Sequence, residues 1–482
     1  MSVGITSIGA YVPYYRMKRE TIAAAWQRGA LKGERSIANN DEDSLTMAVE
    51  AVINCFNGLE REKIDALFLA STTAPYDEKS SSGLIATVCD LKDQVVTADF
   101  GNCLKAGTTA LRAAADMAKA QSAEQVVVVA ADCRAAYPKS DQEQLFADAA
   151  AALTIGTENV IAEIEFCSTV NTEIIDVWRI HGEKYVQNAE ARFALDQGYT
   201  SAMKRVINDM LKKAGLKAQD ISKVVLSSPG LKDNMNLAKK LGFAESQIQD
   251  ALMMQVGNCG TAQPLLMLIA ALEDAKPGDR ILLAAYGNGA DAFIFRVTEN
   301  IARMTAANGV KKYLTTKRVF ESYNRYLSFR GLLEANPGEP FRLFPSNAAY
   351  WRDQKSILRF YGSKCKNCGT SIYPINRICN TCGSKDTFEE IRLSDRKGKV
   401  FTFSIDRLAG RSDDPVVVQT VAEDDAGVRY YLLMTEFDQQ EVKVGMDVEF
   451  TFRKIYEGAN YINYFWKCRP VRMGGLCHDN EG

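Results

Sequence analysis

Two stretches of this 482-residue chain run through apolar segments and helical patterns in the same order. The first reads Ala66-Leu67-Phe68-Leu69-Ala70, then a run ending in Asp99-Phe100, the turn Gly101-Asn102-Cys103, an alanine-rich helical segment, and Val126 to Val129. The second reads Lys223-Val224-Val225-Leu226-Ser227, the turn Gly257-Asn258-Cys259, the helical segment AQPLLMLIAALEDAKPGD, and Ile281 to Ala285. Equivalent pieces lie about 157, 156 and 155 residues apart. Continuous apolar strands alternating with helices predict mainly parallel sheets covered on both faces, and the near-constant offset predicts two copies of one α/β unit. In each copy Gly-Asn-Cys sits at a strand-to-helix turn, where unpaired N–H groups and the positive end of the helix dipole meet whatever binds. A thiol at such a turn is expected to have a lowered pKa and to act as a nucleophile.

Beyond residue 300 the strand pattern fades. VFESYNRYLSFRGLL is predicted as a helix that docks the two parts of the chain, and ANPGEPFRLFP reads as a turn-rich connector. Then Cys365-x2-Cys368 and Cys379-x2-Cys382 follow, each pair succeeded by a glycine, Gly369 and Gly383. Two such hairpins close a tetrahedral Zn(II) site with four protein ligands, leaving no open position, so the metal is structural. After them GKVFTFSIDRLA, PVVVQTVAEDD, VRYYLLMTEFD, MDVEFTFRKIY and YINYFWKCRPV alternate β-rich runs with polar turns, as five strands of a small OB-type barrel do. The division that follows is 1–300 in two halves (about 1–165 and 166–300), a helical linker at 301–360, a zinc ribbon at 361–390 and an OB fold at 391–475.

Charge changes the picture little. Lys+Arg number 58 and Asp+Glu 60, so no net field argues for nucleic acid, although Tyr461, Tyr464, Phe465 and Trp466 are candidate stacking residues. MSVGITSIGAYVP lacks a secretory pattern and no apolar run approaches about 18 residues, which predicts a cytoplasmic protein with no membrane contact. Twelve cysteines, four in the metal cluster, are expected as thiols; Cys55, Cys89, Cys133, Cys167 and Cys259 read as small core residues. Of the two histidines, His478 lies in the tail CHDNEG and is expected in solvent.

The duplicated unit resembles the thiolase superfamily, layered αβαβα, and residues 1 to about 300 resemble its archaeal-type HMG-CoA synthases and ketoacyl synthase relatives. The pieces that carry the likeness include MSVGITSIGAYVPYYRMKRETIAAAW, DEDSLTMAVEA, KAGTTAL, FADAAAALTIG, WRIHGEKYVQNAEARF, LAKKLGF and VGNCGTAQPLLMLIAALEDAKPGDRILLAAYGNGADAF. The ribbon and barrel resemble an acyl-CoA-associated family found beside thiolases and HMG-CoA synthases. Such enzymes use a Glu as acid/base, a Cys that carries the acyl group and a His that orients the second acyl-CoA. Carried onto this chain, the Glu falls at about Thr72 and the His at about Ser227, and neither replacement does its counterpart's chemistry. Counting back from Lys105-Ala106-Gly107-Thr108 puts Leu104 at the nucleophile position, one residue after Cys103. Either the turn takes one extra residue and Cys103 still enters the pocket, or the position has lost its thiol. Asn258 matches the family Asn that binds the thioester oxygen, and His181 lies in a segment that contributes to the acyl-CoA site of relatives.

What the resemblance implies is an acyltransferase acting on coenzyme A thioesters and forming or cleaving a carbon–carbon bond, with Cys103, Asn258 and His181 as catalytic candidates. HMG-CoA synthesis itself is not expected. The alternative is a catalytically inactive thiolase-fold scaffold or CoA-binding subunit that partners an active thiolase. A homodimer is expected either way.

Overall fold

The computed structural model describes residues 2–56, 59–304, 309–333, 346–411, 414–458 and 461–472. The connector ANPGEPFRLFP and His478 lie outside the described residues.

The first half supplies β1 (Gly4–Tyr11), β2 (Ile64–Ala70), β3 (Val96–Phe100), β4 (Gln125–Cys133) and β5 (Asp148–Gly156). From the centre outward they lie in the order β1-β5-β4-β2-β3. The second half supplies β6 (Ala162–Asn171), β7 (Lys223–Leu226), β8 (Arg280–Tyr286) and β9 (Gly289–Val297), in the order β6-β9-β8-β7. A parallel bridge from Val224 to Ile248 stands where β3 stands in the first half. Leu67 pairs with Val127 in one half and Val224 with Leu282 in the other, both in parallel, which is the pairing that the sequence repeat predicts. The half-sheets touch where Gly4 and Ile5 of β1 meet Glu163 and Ala162 of β6.

Helices α1 (Ser44–Cys55), α2 (Ser81–Val88), α3 (Ala106–Lys119), α4 (Ser201–Ala214), α5 (Asp233–Lys240) and α6 (Ala262–Leu272) complete five layers. α3 and α6 pack on strands of both half-sheets, α1 covers the outer face of the first and α4 that of the second. Every residue of α6 is buried, which explains why its sequence is apolar all round and carries no amphipathic stripe. Pro264 falls in its first turn, where the missing N–H is no loss. This is the duplicated thiolase fold.

The helix Tyr323–Phe329 packs Tyr323, Tyr326, Leu327 and Phe329 against Met17, Ile22 and Ile37 of the first half. The ribbon follows, with β10 (Tyr361–Cys365), β11 (Ser371–Ile372) and β12 (Phe388–Arg392). Asp90 ties it to the first half through Arg359 at 3.1 Å, Arg392 at 3.2 Å and the Tyr361 hydroxyl at 2.7 Å. The barrel closes from β13 (Lys397–Asp406), β14 (Val417–Asp424), β15 (Arg429–Met434), β16 (Asp447–Gly458) and β17 (Tyr461–Pro470) in the order β13-β14-β15-β17-β16. Of the aromatics read as candidate stacking residues, Trp466 and Tyr464 are instead buried, donating to the Leu358 carbonyl at 2.9 Å and to Asp43 at 2.7 Å. Cys55, Cys89 and Cys259 are core residues, whereas Cys133 and Cys167 are only partly buried. Among the described residues no helix is long and apolar enough to cross a membrane.

Candidate active site

A cavity of about 310 Å³ lies between the half-sheets, under the segment that joins β6 to α4, lined by Asn258 of the second Gly-Asn-Cys turn and by Leu104, the residue that follows the first. The turns have diverged. In the first, Asn102 takes a left-handed φ of 62° and α3 begins only at Ala106, so Cys103 lies before the helix. Its thiol turns away and donates to the Gly287 carbonyl at 3.1 Å, while Leu104 lines the cavity. Burial pushes the Cys103 pKa up, the reverse of the lowering expected from a helix start, because desolvation outweighs the Lys105 N–H and ammonium.

In the second turn Gly257 (φ 104°) and Gly260 (φ 58°) occupy conformations that favour glycine. A Cβ at Gly257 would lie 2.7 Å from that of Ala147. Asn258 is held on both sides: its N–H donates to the Leu145 carbonyl at 2.7 Å, its side-chain oxygen accepts from Gly260 N at 3.0 Å, and its Nδ2 donates to the Ser228 carbonyl at 3.2 Å. Its amide therefore lines the cavity in a fixed orientation, while Cys259 is buried beside it.

Apolar side chains such as Leu145, Phe146, Val177, Val186, Leu195 and Pro264 make most of the wall. Among them stand Asp176 and Tyr286. The Tyr286 hydroxyl donates to Asp176 Oδ2 at 2.5 Å, and the Val177 N–H binds Asp176 Oδ1 at 2.7 Å. Burial first, and the Asp176 carboxylate second, raise the Tyr286 pKa, so the phenol keeps its proton and acts as a donor. Ser227 Oγ accepts from the Tyr286 N–H at 3.0 Å. Thr72 is turned to the buried Asp132 at 3.0 Å and does not line the cavity.

His181 is not brought to this site: its side chain is 83% exposed and its Nδ1 lies 3.5 Å from Asp77. Of the candidates read from the sequence, Asn258 and Leu104 line the cavity and Cys103 does not. Asp176, Tyr286 and Arg134 were not singled out from the sequence; YGNGADAF marked the segment of Tyr286 but not its partner.

The metal site is separate. The sulfurs of Cys365, Cys368, Cys379 and Cys382 all lie within 4.8 Å of one another, with 3.7 Å between Cys365 and Cys382 and 3.5 Å between Cys368 and Cys379. Zn–S bonds of about 2.3 Å in a tetrahedron require sulfurs roughly 3.8 Å apart, so the cluster fits Zn(II). Hydrogen bonding with Thr370 and Ser384 lowers the pKa values of Cys368 and Cys382, favouring the thiolates that a metal needs.

A duplicated thiolase fold enclosing a cavity between the two strand-to-helix turns defines the class: the thiolase superfamily of acyl-CoA acyltransferases. Residues 211–296 match the 3-oxoacyl-[acyl-carrier-protein] synthase III C-terminal family, and residues 352–389 match the ChsH2 rubredoxin-like zinc ribbon domain. The chain is 31% identical over 344 residues to the hydroxymethylglutaryl-CoA synthase of Methanopyrus kandleri, covering 69% of this chain and 98% of that one. It is 32% identical to that of Methanococcoides burtonii, covering 69% and 99%. Among solved structures, an HMG-CoA synthase complexed with CoA aligns with a TM-score of 0.65 at 18% identity over 72% of this chain and 95% of that one. A 3-oxoacyl-[acyl-carrier-protein] synthase III from Aquifex aeolicus aligns at 0.56 and 22% identity over 61% and 99%. The chain belongs to the hydroxymethylglutaryl-CoA synthase family, with a zinc ribbon and barrel joined to the synthase-like part.

Proposed function

We propose that this protein transfers an acyl group between coenzyme A thioesters with formation or cleavage of a carbon–carbon bond, by chemistry other than HMG-CoA synthesis. The observation that carries this reading is the mainly apolar cavity in which the Asn258 amide, the protonated Tyr286 and the Asp176 carboxylate converge. Asn258 donates its remaining amide hydrogen to the thioester oxygen as negative charge develops there, and Tyr286 holds the Asp176 carboxylate in position by donating to it. Asp176 takes the proton that a second acyl-CoA loses to become a carbanion, a role that Thr72 and Ser227 do not fill. In the thiol route, Cys103 rotates from Gly287 into the cavity, its sulfur attacks the thioester carbonyl, the C–S bond to CoA breaks and CoA leaves with the thiol proton. His181 lies outside the cavity and contributes to binding the CoA moiety rather than to the reacting atoms.

Intact-mass spectrometry after incubation with acetyl-CoA and acetoacetyl-CoA, followed by peptide mapping, tests the route. An acyl adduct on Cys103 supports it. Turnover undiminished in Cys103→Ala replaces it with direct transfer between bound thioesters. The second reading, an inactive scaffold or CoA-binding subunit beside an active thiolase, is favoured by one feature, Leu104 on the wall where family members carry the thiol. Co-purification with a thiolase in equal amounts, with no turnover by this chain alone, establishes it. We further propose a cytoplasmic homodimer and the domain division 1–300, 301–360, 361–390 and 391–475.

A further inference from the structure

Among the described residues that line the cavity, Arg134 is the one cation. It follows the end of β4, is 4% exposed, and its guanidinium carbon lies 4.1 Å from the centre of the Phe146 ring. Among the described residues it has no hydrogen-bond or ion-pair partner. Other buried arginines here each have a partner: Arg330 has Asp148 at 2.8 Å, Arg472 has Glu436 at 2.7 Å, and Arg16 has the Tyr313 carbonyl at 2.9 Å. The nearby carboxylates are already occupied. Asp132 accepts from Ser71, Thr72, Thr73 and Thr261, and Asp176 from Tyr286 and the Val177 N–H. Burial lowers the Arg134 pKa only to about 10, so the group remains a cation near neutral pH.

Asp132 and Asp176 are near enough to favour the Arg134 charge but neither is hydrogen-bonded to it, so the buried guanidinium keeps its donors free for an anionic ligand, which would satisfy them. Its planar fork matches a carboxylate or a phosphate. The apolar wall and the modest volume of about 310 Å³ favour the smaller, singly charged carboxylate on an aliphatic chain. The Arg134 stem packs close to Gly260, two residues beyond Asn258, so a carboxylate on Arg134 and a thioester oxygen on Asn258 belong to the two ends of one acyl group.

We propose that the chain takes an acyl-CoA whose acyl group ends in a carboxylate, and that Arg134 binds that carboxylate. This rests on the reading of the cavity as the acyl site. The test is equilibrium binding of succinyl-CoA, butyryl-CoA and free CoA to the full chain and to Arg134→Met and Arg134→Lys. Wild type should bind succinyl-CoA about 10- to 100-fold tighter than butyryl-CoA, the range of one charge-assisted hydrogen-bonded pair. Arg134→Met should erase that preference while leaving butyryl-CoA and CoA affinities in place, which also shows that it folds; Arg134→Lys should restore part of it. Equal binding of the two thioesters by wild type overturns the proposal. So does an equal loss of CoA and succinyl-CoA binding in Arg134→Met, which would make a CoA phosphate the ligand. The assay needs no turnover: a preference for succinyl-CoA in a chain without activity removes the catalytic reading alone. Binding of both thioesters without preference removes the Arg134 proposal alone, and binding of none removes both.

Discussion

The barrel is joined to the synthase-like half by buried charges, and Glu436 is their centre. Its carboxylate, 2% exposed, lies 2.7 Å from Arg453, 2.7 Å from Arg472 and 3.6 Å from Arg469, and it also accepts from the Tyr11 hydroxyl at 3.2 Å. Arg453 and Arg469 have further acids, Glu42 at 3.2 Å and Glu50 at 2.8 Å, both from the first half. Arg472 has no other acidic partner among the described residues. Glu436→Gln therefore leaves Arg472 buried without a counter-charge while keeping the side-chain shape. Removing one partner of a buried pair costs about 3–5 kcal/mol. At roughly 2–4 °C per kcal/mol for units of 150–250 residues, Tm should fall by at least about 6 °C.

The companion variant Glu436→Gln/Arg472→Met removes the stranded charge and should recover a substantial part of the loss. Urea or thermal unfolding of the three proteins measures both effects. A loss under about 1 kcal/mol for Glu436→Gln, or a double variant no more stable than the single one, refutes the argument. The pH dependence has a definite sign. The three arginines, acting against desolvation, hold the Glu436 pKa well below its ordinary value. Its ionic contribution is thus complete above the unfolded-state pKa of about 4.3 and is lost as pH falls below it. The stability gap between wild type and Glu436→Gln should narrow in that range.

The ribbon should bind one zinc per chain by elemental analysis; Cys368→Ser should release it and open residues 361–392 to protease. Leu104→Cys puts a thiol on the cavity wall, so incubation with acetyl-CoA should give an adduct mapping to residue 104; an alkylatable but unacylated Cys at that position contradicts the placement. Tyr286→Phe deletes the donor bound to Asp176 and should lower turnover about 100-fold with little change in thioester binding, whereas an unchanged rate removes Tyr286 from the chemistry.

The repeat was legible because strands covered on both faces are apolar throughout, so Leu67 and Val224 announce equivalent places without any helix periodicity. The ribbon was legible because its ligands come in adjacent pairs. Nothing comparable marks Arg134, Asp176 and Tyr286, which meet only after β4, the β6-to-α4 segment and β8 are brought together. Nor does the sequence mark Glu42 and Glu50 as partners of Arg453 and Arg469, some 400 residues away. Charged residues in DEDSLTMAVEA look like a solvated helix start, but Asp43 caps α1 through Thr46 at 2.8 Å and also accepts from Tyr464 of the barrel.

The two Gly-Asn-Cys turns show why sequence alone left Cys103 and Leu104 undecided. A turn's residue count does not say which side chain enters a pocket; its dihedral angles do. The left-handed Asn102 rotates the following peptide so that Cys103 meets Gly287 and Leu104 meets the cavity, whereas Gly257 and Gly260 let the second turn place Asn258 itself on the cavity lining. The same three letters thus contribute a thiol bonded to a backbone carbonyl in one half and an amide that lines the cavity in the other. Since the thiol is both turned away and raised in pKa, acylation of Cys103 requires a rotation that breaks its bond to the Gly287 carbonyl. Direct transfer requires none, because the Asn258 amide, the Tyr286 phenol and the Asp176 carboxylate already face the space that a thioester would fill.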